Sequence, residues 1–210
     1  TGKCGTDAYY SYDDVTKTLT ITGMGAIRDY TMTSGTPWYN YCEQIESIVI
    51  ESGVTGIGSY AFYYFKGLTS ITIPDTVTYI GEGTFYECTA LESVTIPDSI
   101  TSIGKEAFQY SGLTSVTVPG SVTNIADSTF YGCDNLASVE IKYGVENVGD
   151  YAFYLCKNLA DITLPDSVTG IGSSVFDGTA YYNDENNYDN GVLYIGNHLV
   201  KADTSISGVC

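Results

Sequence analysis

Positively charged side chains are scarce in this sequence. It has 8 Lys and Arg residues against 25 Asp and Glu residues, so its formal net charge is −17. A polyanion of this kind repels phosphate groups, and we therefore expect no binding to nucleic acid or to anionic membranes. Two interpretations of the excess acid stay open, namely solubility alone or attraction of a cationic partner.

Long apolar runs are also lacking. No run reaches the 18 residues of a membrane-spanning helix, so we expect no direct membrane insertion. The first residues, TGKCGT, have neither the charged nor the apolar region of a signal peptide, which is therefore absent or already removed. Enrichment in Gly, Ser, Thr and Tyr with few Lys suits a secreted bacterial surface protein, and we expect an extracellular or cell-surface location.

Recognisable motifs for catalysis or metal binding are lacking, because no spacing singles out a pair among the many carboxylates. The only histidine is His198, and no Cys-x-x-Cys pair occurs, so neither a nucleophile with its base nor a zinc-ligand spacing stands out. The acidic loop 184–190 offers oxygen ligands for calcium but lacks the spacing of a calcium-binding loop, which favours a solvated loop. We predict a protein that is not an enzyme and needs no cofactor.

What the sequence does contain is a repeat. The stretch LTSITIPDTVTYIGEGTFYECTA, residues 68–90, is followed by LESVTIPDSITSIGKEAFQYSG, residues 91–112. A fixed period in this range, with a strand-like run in each unit, indicates a leucine-rich-repeat solenoid. The units begin at Ile45, Leu68, Leu91, Leu113, Leu136 and Leu159, with spacings of 23, 23, 22, 23 and 23 residues.

Each unit predicts one strand with a buried face. Two apolar residues alternate with small polar ones near the start of every unit, which is the pattern of a half-buried strand. Stacked units should place the six strands side by side in one parallel sheet, about 4.8 Å apart. The apolar pairs are Ile48/Ile50, Ile71/Ile73, Val94/Ile96, Val116/Val118, Val139/Ile141 and Ile162/Leu164.

Two further columns run through all or most of the units. A phenylalanine stands 17 residues into every unit, and we predict that this column is buried core rather than an aromatic ligand site. A glycine stands 13 residues into five of the units, where we expect either a steric clash with a side chain or a positive φ. The residues are Phe62, Phe85, Phe108, Phe130, Phe153 and Phe176, and Gly58, Gly81, Gly104, Gly149 and Gly172.

Cysteines form another column, three residues after the phenylalanines. We expect reduced, buried thiols there, with a disulfide between Cys133 and Cys156 as the alternative. Cys4 could reach Cys42 within the first part of the chain, and Cys210 lies outside the register. The column is Cys42, in a half-repeat before the array, then Phe65, Cys88, Ser111, Cys133 and Cys156.

The repeat divides the chain into three parts. Residues 1–44 should form a β-hairpin cap over the first repeat, residues 45–178 the array of six units, and residues 179–210 an acidic loop and a second hairpin. Trp38, the only tryptophan, is predicted to plug the first end of the core rather than to stack on a ligand.

The unit LxSVTIPDSVTxIGxxAFxxCxxL, clearest in residues 91–112 and 159–176, resembles the leucine-rich repeat of BspA-type bacterial surface proteins. TLTITGMGAI and PWYNY ahead of the array, and GVLYIGNHLVKADTSISG after it, resemble flanking segments of that family. The resemblance implies a right-handed solenoid with a parallel β-sheet on one face, short strands and 3₁₀ or helical turns on the other, and a β-hairpin N-terminal cap. It also implies display outside the cell and non-catalytic adhesion. Three features depart from the pattern: the 22-residue spacing, Phe65 and Ser111 in the cysteine column, and Lys142-Tyr143 in place of Pro-Asp.

Function in such a solenoid belongs to the solvent-facing columns. The sheet offers a hydroxyl-rich surface that becomes acidic in the last two repeats and suits extended protein or glycan contacts, although Ser and Thr are also ordinary residues for an exposed sheet. A tyrosine stripe beside the phenylalanine column is a second candidate. The sheet residues are Ser70, Thr72, Ser93, Thr95, Ser115, Thr117, Ser138, Glu140, Asp161 and Thr163, and the stripe is Tyr63, Tyr86, Tyr131 and Tyr154.

These surfaces support two hypotheses. The leading one is a protein-binding or adhesion scaffold whose partners are host or bacterial surface proteins. The alternative is a carbohydrate-binding module or a spacer attached to a surface enzyme, with the tyrosine stripe as the contact to glycan.

Overall fold

A computed structural model describes residues 1–32 and 35–202 of the chain. The chain is a solenoid of parallel strands with few helices, as the repeat predicted. The helical elements are a 3₁₀ helix at Tyr39–Tyr41, α1 (Ala180–Asn183) and a 3₁₀ helix at Glu185–Asn187. The strands are β1 (Gly2–Lys3), β2 (Gly5–Asp13), β3 (Thr18–Ile27), β4 (Ser47–Ile50), β5 (Ser70–Thr72), β6 (Tyr79–Ile80), β7 (Ser102–Ile103), β8 (Ser115–Val118), β9 (Asn124–Ile125), β10 (Ser138–Ile141), β11 (Asn147–Val148), β12 (Asp161–Thr163), β13 (Gly170–Ile171), β14 (Tyr188–Asp189), β15 (Val192–Ile195) and β16 (His198–Ala202).

One side of the solenoid carries the predicted parallel strands. β3 pairs with β4 and β4 with β5, and further along the chain β8, β10 and β12 form a second parallel group. The register places Ser115, Ser138 and Asp161 side by side. Because side chains alternate along a strand, Val116 and Val139 of the same strands point into the core and are buried.

The prediction of six strands in one continuous sheet is wrong at the third unit. Residues 91–97 form no strand, so β5 and β8 belong to different sheets. This unit is the one with the 22-residue spacing, and its connection to the next unit at Ser111 and Gly112 is one residue shorter than the others. Gly112 lies so close to the preceding unit that an added Cβ would be 2.2 Å from the carbonyl oxygen of Thr89.

A second side carries a narrower parallel sheet of two-residue strands, in the order β13-β11-β9-β7-β6. The glycine column follows these strands, and steric crowding is its cause. A Cβ on Gly81 would lie 2.4 Å from the backbone nitrogen of Ser59, and one on Gly104 would lie 2.5 Å from that of Glu82. Neither glycine has a positive φ, so the steric expectation is confirmed and the alternative of a left-handed backbone is wrong here.

The third side is built from turns with two left-handed residues in each unit. Most of these residues are not glycine, although a side chain in this conformation costs about 1 kcal/mol or more. Their N–H groups donate to the next unit, as from Tyr60 to the Glu82 oxygen at 2.8 Å and from Tyr64 to the Tyr86 oxygen at 2.8 Å. The positions are Tyr60, Gly83, Glu106, Ser128, Tyr151 and Ser174, and Tyr64, Glu87, Tyr110, Gly132, Leu155 and Gly178.

The phenylalanine column is buried core, as predicted. All six rings are at most 1% exposed, and each stacks on the next at centroid distances between 5.2 and 5.7 Å. Trp38 begins the ladder, because its ring stacks on Phe62 at 5.7 Å and is fully buried. Its Nε1 donates to the Ala61 carbonyl at 2.8 Å. The prediction that Trp38 plugs the first end of the core is confirmed.

Hairpins lie at both ends of the array. β2 and β3 form the predicted first hairpin, and β3 continues the parallel ladder into β4. At the other end β15 and β16 form a hairpin whose Ile195 joins the hydrophobic core of the array. Asn197 donates to the Asp166 carboxylate at 3.2 Å, which holds the hairpin turn against the end of the last unit.

Candidate functional site

The candidate sheet residues lie together on the open face of the parallel strands. Nine of the ten are exposed, and Ser138 is half-buried. The hydroxyl groups make few bonds among themselves, and one of these joins Ser70 to Ser47 at 3.2 Å. The face therefore keeps most of its donors and acceptors available to a partner.

Two adjoining depressions mark this face. One, of about 290 Å³, is lined by Ser93, Val94, Thr95, Ile96, Ser115, Val116 and Thr117. The other, of about 400 Å³, is lined by Ser115, Val116, Thr117, Ser138, Val139, Glu140, Asp161 and Thr163. They share three residues of β8, so they form one elongated surface across the third to sixth units.

One apolar residue of this surface departs from the predicted burial. Ile96, Val116 and Val139 of the inward-facing columns are buried, as predicted, whereas Val94 is half-buried and lines the first depression. Val94 belongs to the unit with the 22-residue spacing. Residues of this kind supply apolar contact at the centre of a binding surface, surrounded by polar groups.

Charge on the face becomes negative toward the last units, as predicted. Glu140 forms an ion pair with Lys142 at 2.5 Å, and the hydrogen bond from this lysine lowers the pKa of the Glu140 carboxyl. Asp161 is exposed and has no ion pair within the described part of the chain. This carboxylate is therefore free to meet a cation.

The tyrosine stripe is a continuous row of rings. Tyr63 lies 5.2 Å from Tyr86, and Tyr131 lies 5.2 Å from Tyr154. Gln109 interrupts the column at the third unit, but Tyr110 bridges the gap at 5.8 Å from Tyr86 and 5.5 Å from Tyr131. Sequence reasoning missed Tyr110, although it is the neighbour of the interrupting Gln109.

The tyrosine rings of this row bury much of their surface against one another. All four stripe residues are half-buried, and only neighbours such as Tyr64, Tyr110 and Tyr151 count as exposed. Tyr60 ends the row with a hydrogen bond from its hydroxyl to Glu82 at 2.5 Å, and burial together with this carboxylate raises its pKa. The arrangement stabilises adjacent units through aromatic contacts worth about 0.5 to 1.5 kcal/mol each.

The thiols of the cysteine column are buried, as expected. Cys88 Sγ donates to the Phe62 carbonyl at 3.3 Å, and Cys156 Sγ donates to the Phe130 carbonyl at 3.1 Å. Burial raises the pKa of the Cys88 and Cys156 thiols, and it raises that of Cys4 to about 11. Cys4, Cys42, Cys88, Cys133 and Cys156 are all unpaired in the described residues, and Cys210 lies outside them.

Chemistry-bearing side chains do not converge elsewhere in the described residues. Within 1–32 and 35–202, no group of three or more His, Cys, Asp or Glu residues is placed to hold a metal ion. The ring of His198 contacts the Pro165 carbonyl at 3.1 Å, which gives this histidine a role in attaching the terminal hairpin. In the acidic loop, Asp184 accepts hydrogen bonds from Asn186 at the start of the second 3₁₀ helix.

Fold and surface together define a non-globular repeat scaffold that presents a flat parallel sheet. The chain belongs to the BspA type leucine rich repeat family: the model of this repeat region matches residues 33–141 and 101–208, with six copies. The family expectation drawn from the repeat columns is thereby confirmed.

Solved structures of bacterial leucine-rich-repeat proteins share the fold. A T. pallidum leucine rich repeat protein is 29% identical with a TM-score of 0.66, over 88% of this chain and 92% of that one. A leucine rich cell surface protein of Faecalibacterium prausnitzii is 26% identical with a TM-score of 0.67, over 95% of this chain and 57% of its own. A leucine-rich repeat protein of Eubacterium ventriosum is 25% identical with a TM-score of 0.61, over 84% of this chain and 62% of that one.

This chain thus spans less than two thirds of the Faecalibacterium and Eubacterium proteins. A search of curated proteins finds no significant match. Among the helices of the described residues, none has the length and apolar character needed to cross a membrane.

Proposed function

We propose that this chain is a non-catalytic scaffold, displayed outside a bacterial cell, that binds a protein partner through its sheet face. The supporting observation is the elongated surface formed by the two adjoining depressions. Eight of the ten candidate sheet residues line it, together with the half-buried Val94. Short hydroxyl side chains lose little conformational entropy on binding, which favours an extended protein contact.

A location outside the cell is part of this proposal. The F. prausnitzii relative is a cell surface protein, and we extend that location to this chain. We also propose a division into a cap at 1–44, an array at 45–178 and an acidic loop with a hairpin at 179–210, because the antiparallel hairpins β2–β3 and β15–β16 flank the stacked units. In this division the array supplies the binding surface and the two end segments cover its core.

The tyrosine row is a weaker candidate for the binding surface than the sheet face. Stacking of a sugar ring needs an open aromatic face, and Tyr63, Tyr86, Tyr131 and Tyr154 turn theirs largely toward neighbouring tyrosines. Glycan binding through this row is therefore the outcome that would favour a carbohydrate-binding module over a protein-binding scaffold.

Binding to arrays of host and bacterial surface proteins, and to a glycan array, tests the proposal. We expect a protein ligand whose capture is lost when Glu140→Lys and Asp161→Lys reverse the charge of the sheet face. The matched control is Glu146→Lys with Glu185→Lys, which makes the same charge change at exposed residues outside the depressions. Equal loss in both variants, or binding of glycans alone, would show the proposal to be wrong.

A further inference from the structure

One connection between units of the array is a residue short. In the first, second, fourth and fifth units, two residues separate the cysteine column from the residue that begins the next unit. In the third unit Gly112 stands there alone. The two-residue connections are Lys66-Gly67, Thr89-Ala90, Asp134-Asn135 and Lys157-Asn158.

The packing of Gly112 shows which of the two residues is missing. A Cβ on Gly112 would lie 3.4 Å from the carbonyl oxygen of Leu91, the first residue of its unit. A Cβ on Gly67 would lie 3.4 Å from that of Ile45, the first residue of the first unit. Gly112 is thus the counterpart of Gly67, and the third unit lacks a counterpart of Lys66.

A depression of about 240 Å³ lies where this residue is missing. It is lined by the neighbours of the gap in the same column, Thr89 of the second unit and Asp134 of the fourth, and by Tyr110, Gly112 and Asn135. We call it the connection notch. None of these residues lines the two depressions of the sheet face, so the notch is a separate feature of the surface.

The first unit shows what the missing residue contacts. Lys66 Nζ lies 4.1 Å from the centroid of the Tyr64 ring and 3.6 Å from a carboxylate oxygen of Glu87 in the next unit. Tyr64 and Tyr110 are counterparts, because both are left-handed, with φ of 68° and 57°, and are 37% and 38% exposed. An ammonium group is attracted to the face of an aromatic ring. Tyr64 therefore receives a cation from its own chain.

Tyr110 receives no such cation. The cation–π contacts of the described residues involve other rings, although the ring of Tyr110 borders the notch. Asp134 lies beside it, with its side chain 55% exposed, and pairs with Lys157 through Oδ2 at 2.7 Å. A carboxylate accepts hydrogen bonds at both oxygens, so Oδ1 is able to take a second cation.

We propose that the connection notch binds a lysine side chain of a partner protein, whose ammonium lies over the ring of Tyr110 and pairs with Asp134. The inference rests on the proposed function in taking a protein as the partner, but the site lies apart from the sheet face. Lysine suits the notch because it carries a compact charge on a flexible four-carbon stem. The net charge of −17 attracts a partner that presents such a residue.

A lysine derivative tests the site without knowledge of the partner. The probe is Nα-acetyl-lysine methylamide, and its binding is followed by NMR through the backbone amide signals of Gly112 and Gly132, which both border the notch. We expect these signals to shift and to saturate as the probe is added, while the amide signal of the distant Glu185 stays in place. Unchanged signals of Gly112 and Gly132 up to the solubility limit of the probe would overturn the proposal.

A neutral analogue shows whether the ammonium group is recognised. Nα-acetyl-norleucine methylamide has an unbranched apolar stem and no charge, and we expect it to leave the Gly112 and Gly132 signals unchanged. Equal shifts with both compounds would mean that the notch takes up any unbranched stem, which contradicts a lysine site.

Variants of the two recognition residues give a second line of evidence. Tyr110→Leu and Asp134→Asn should each weaken binding of the probe about 2- to 5-fold at low salt, as read from the Gly112 signal. The matched controls are Tyr143→Leu, at an exposed tyrosine of the same array, and Asp127→Asn, at a carboxylate paired with Lys105 at 2.6 Å. The controls should leave the affinity unchanged. Equal losses in both sets would show a general attraction to the polyanion instead of a site.

The repeat itself supplies the most specific variant. Insertion of one lysine between Ser111 and Gly112 restores the 23-residue spacing and the Lys-Gly order of the first unit. We expect the inserted side chain to fill the notch, to give nuclear Overhauser contacts to the Tyr110 ring and to abolish binding of the probe. Undiminished binding in a folded insertion variant would overturn the proposal. Should the insertion prevent folding, the variants Tyr110→Leu and Asp134→Asn decide the question.

The same experiments separate this inference from the proposed function. If the probe fails to bind while a protein is still captured through the sheet face, the lysine site alone is refuted. If the probe binds as expected but no protein is captured, the proposed function fails and the lysine site remains.

Discussion

The phenylalanine ladder makes a quantitative prediction about stability. Phe130 is fully buried and stacks on Phe108 at 5.4 Å and on Phe153 at 5.2 Å. Phe130→Ala removes the burial of the ring and leaves a cavity, which costs about 3 to 5 kcal/mol. Because each unit of a solenoid contacts only its neighbours, the change weakens two interfaces at once. We expect a loss of about 4 kcal/mol in the free energy of unfolding.

Urea denaturation followed by circular dichroism measures this loss. With an m-value of about 2.5 kcal/mol per molar urea, the midpoint should fall by about 1.6 M. Phe130→Leu keeps most of the volume and should cost less than half as much. Tyr143→Ala is the control, because this aromatic residue of the same array is 80% exposed and should change stability by at most about 0.5 kcal/mol. A loss below about 1.5 kcal/mol for Phe130→Ala would refute the view that the ladder is the core.

Three further predictions concern the backbone, the thiols and the ion pairs. Ser128 has a φ of 57°, so Ser128→Gly should raise the free energy of unfolding by up to about 1 kcal/mol, whereas Gly104→Ala should lower it because of the clash with Glu82; urea midpoints compare the two. Cys88 is buried with a raised pKa, so it should resist alkylation in the native protein and react once urea unfolds it, as read by mass spectrometry; fast native labelling would contradict its burial. The hydrogen bond from Lys105 lowers the pKa of Asp127, so this carboxylate stabilises the fold above its unfolded pKa and ceases to do so as pH falls through its folded pKa. Asp127→Asn should therefore lower stability at about pH 7, by less than about 1 kcal/mol for so exposed a pair, and have no effect at about pH 2; an equal effect at both pH values would exclude the ion pair as the cause.

Much of the candidate surface could be predicted because one repeating unit encodes it. Alternation along each strand assigns residues such as Thr117 and Thr163 to the outside, and both are exposed in the structure. The repeat also predicted the column of tyrosines, but it did not predict that their rings form a continuous row. Tyr110 joins the row from the neighbouring column, and only the turn geometry of the third side brings its ring within 5.5 Å of Tyr131.

The glycine column shows where sequence reasoning stopped. A recurrent glycine indicates either a positive φ or close packing. The sequence pattern is the same in both cases and does not distinguish them. Packing proved to be the reason at Gly81, while the left-handed positions fall on residues such as Glu106 and Leu155, which carry no such signal. Hydrogen bonds to the next unit, as from Leu155 N to the Asp177 oxygen at 2.9 Å, hold these strained residues in place.

By itself, the sequence determined the solenoid, its unit, its buried phenylalanine ladder and its outward columns. These follow from periodicity, because units of equal length must stack in register and bury the same positions in every turn. Only the tertiary structure decided that the sheet is interrupted at residues 93–96 and that Val94 and Ile96 line an open depression there. The physical reason is that strand pairing depends on how neighbouring units align in space, and the apolar pattern of a strand does not encode that alignment.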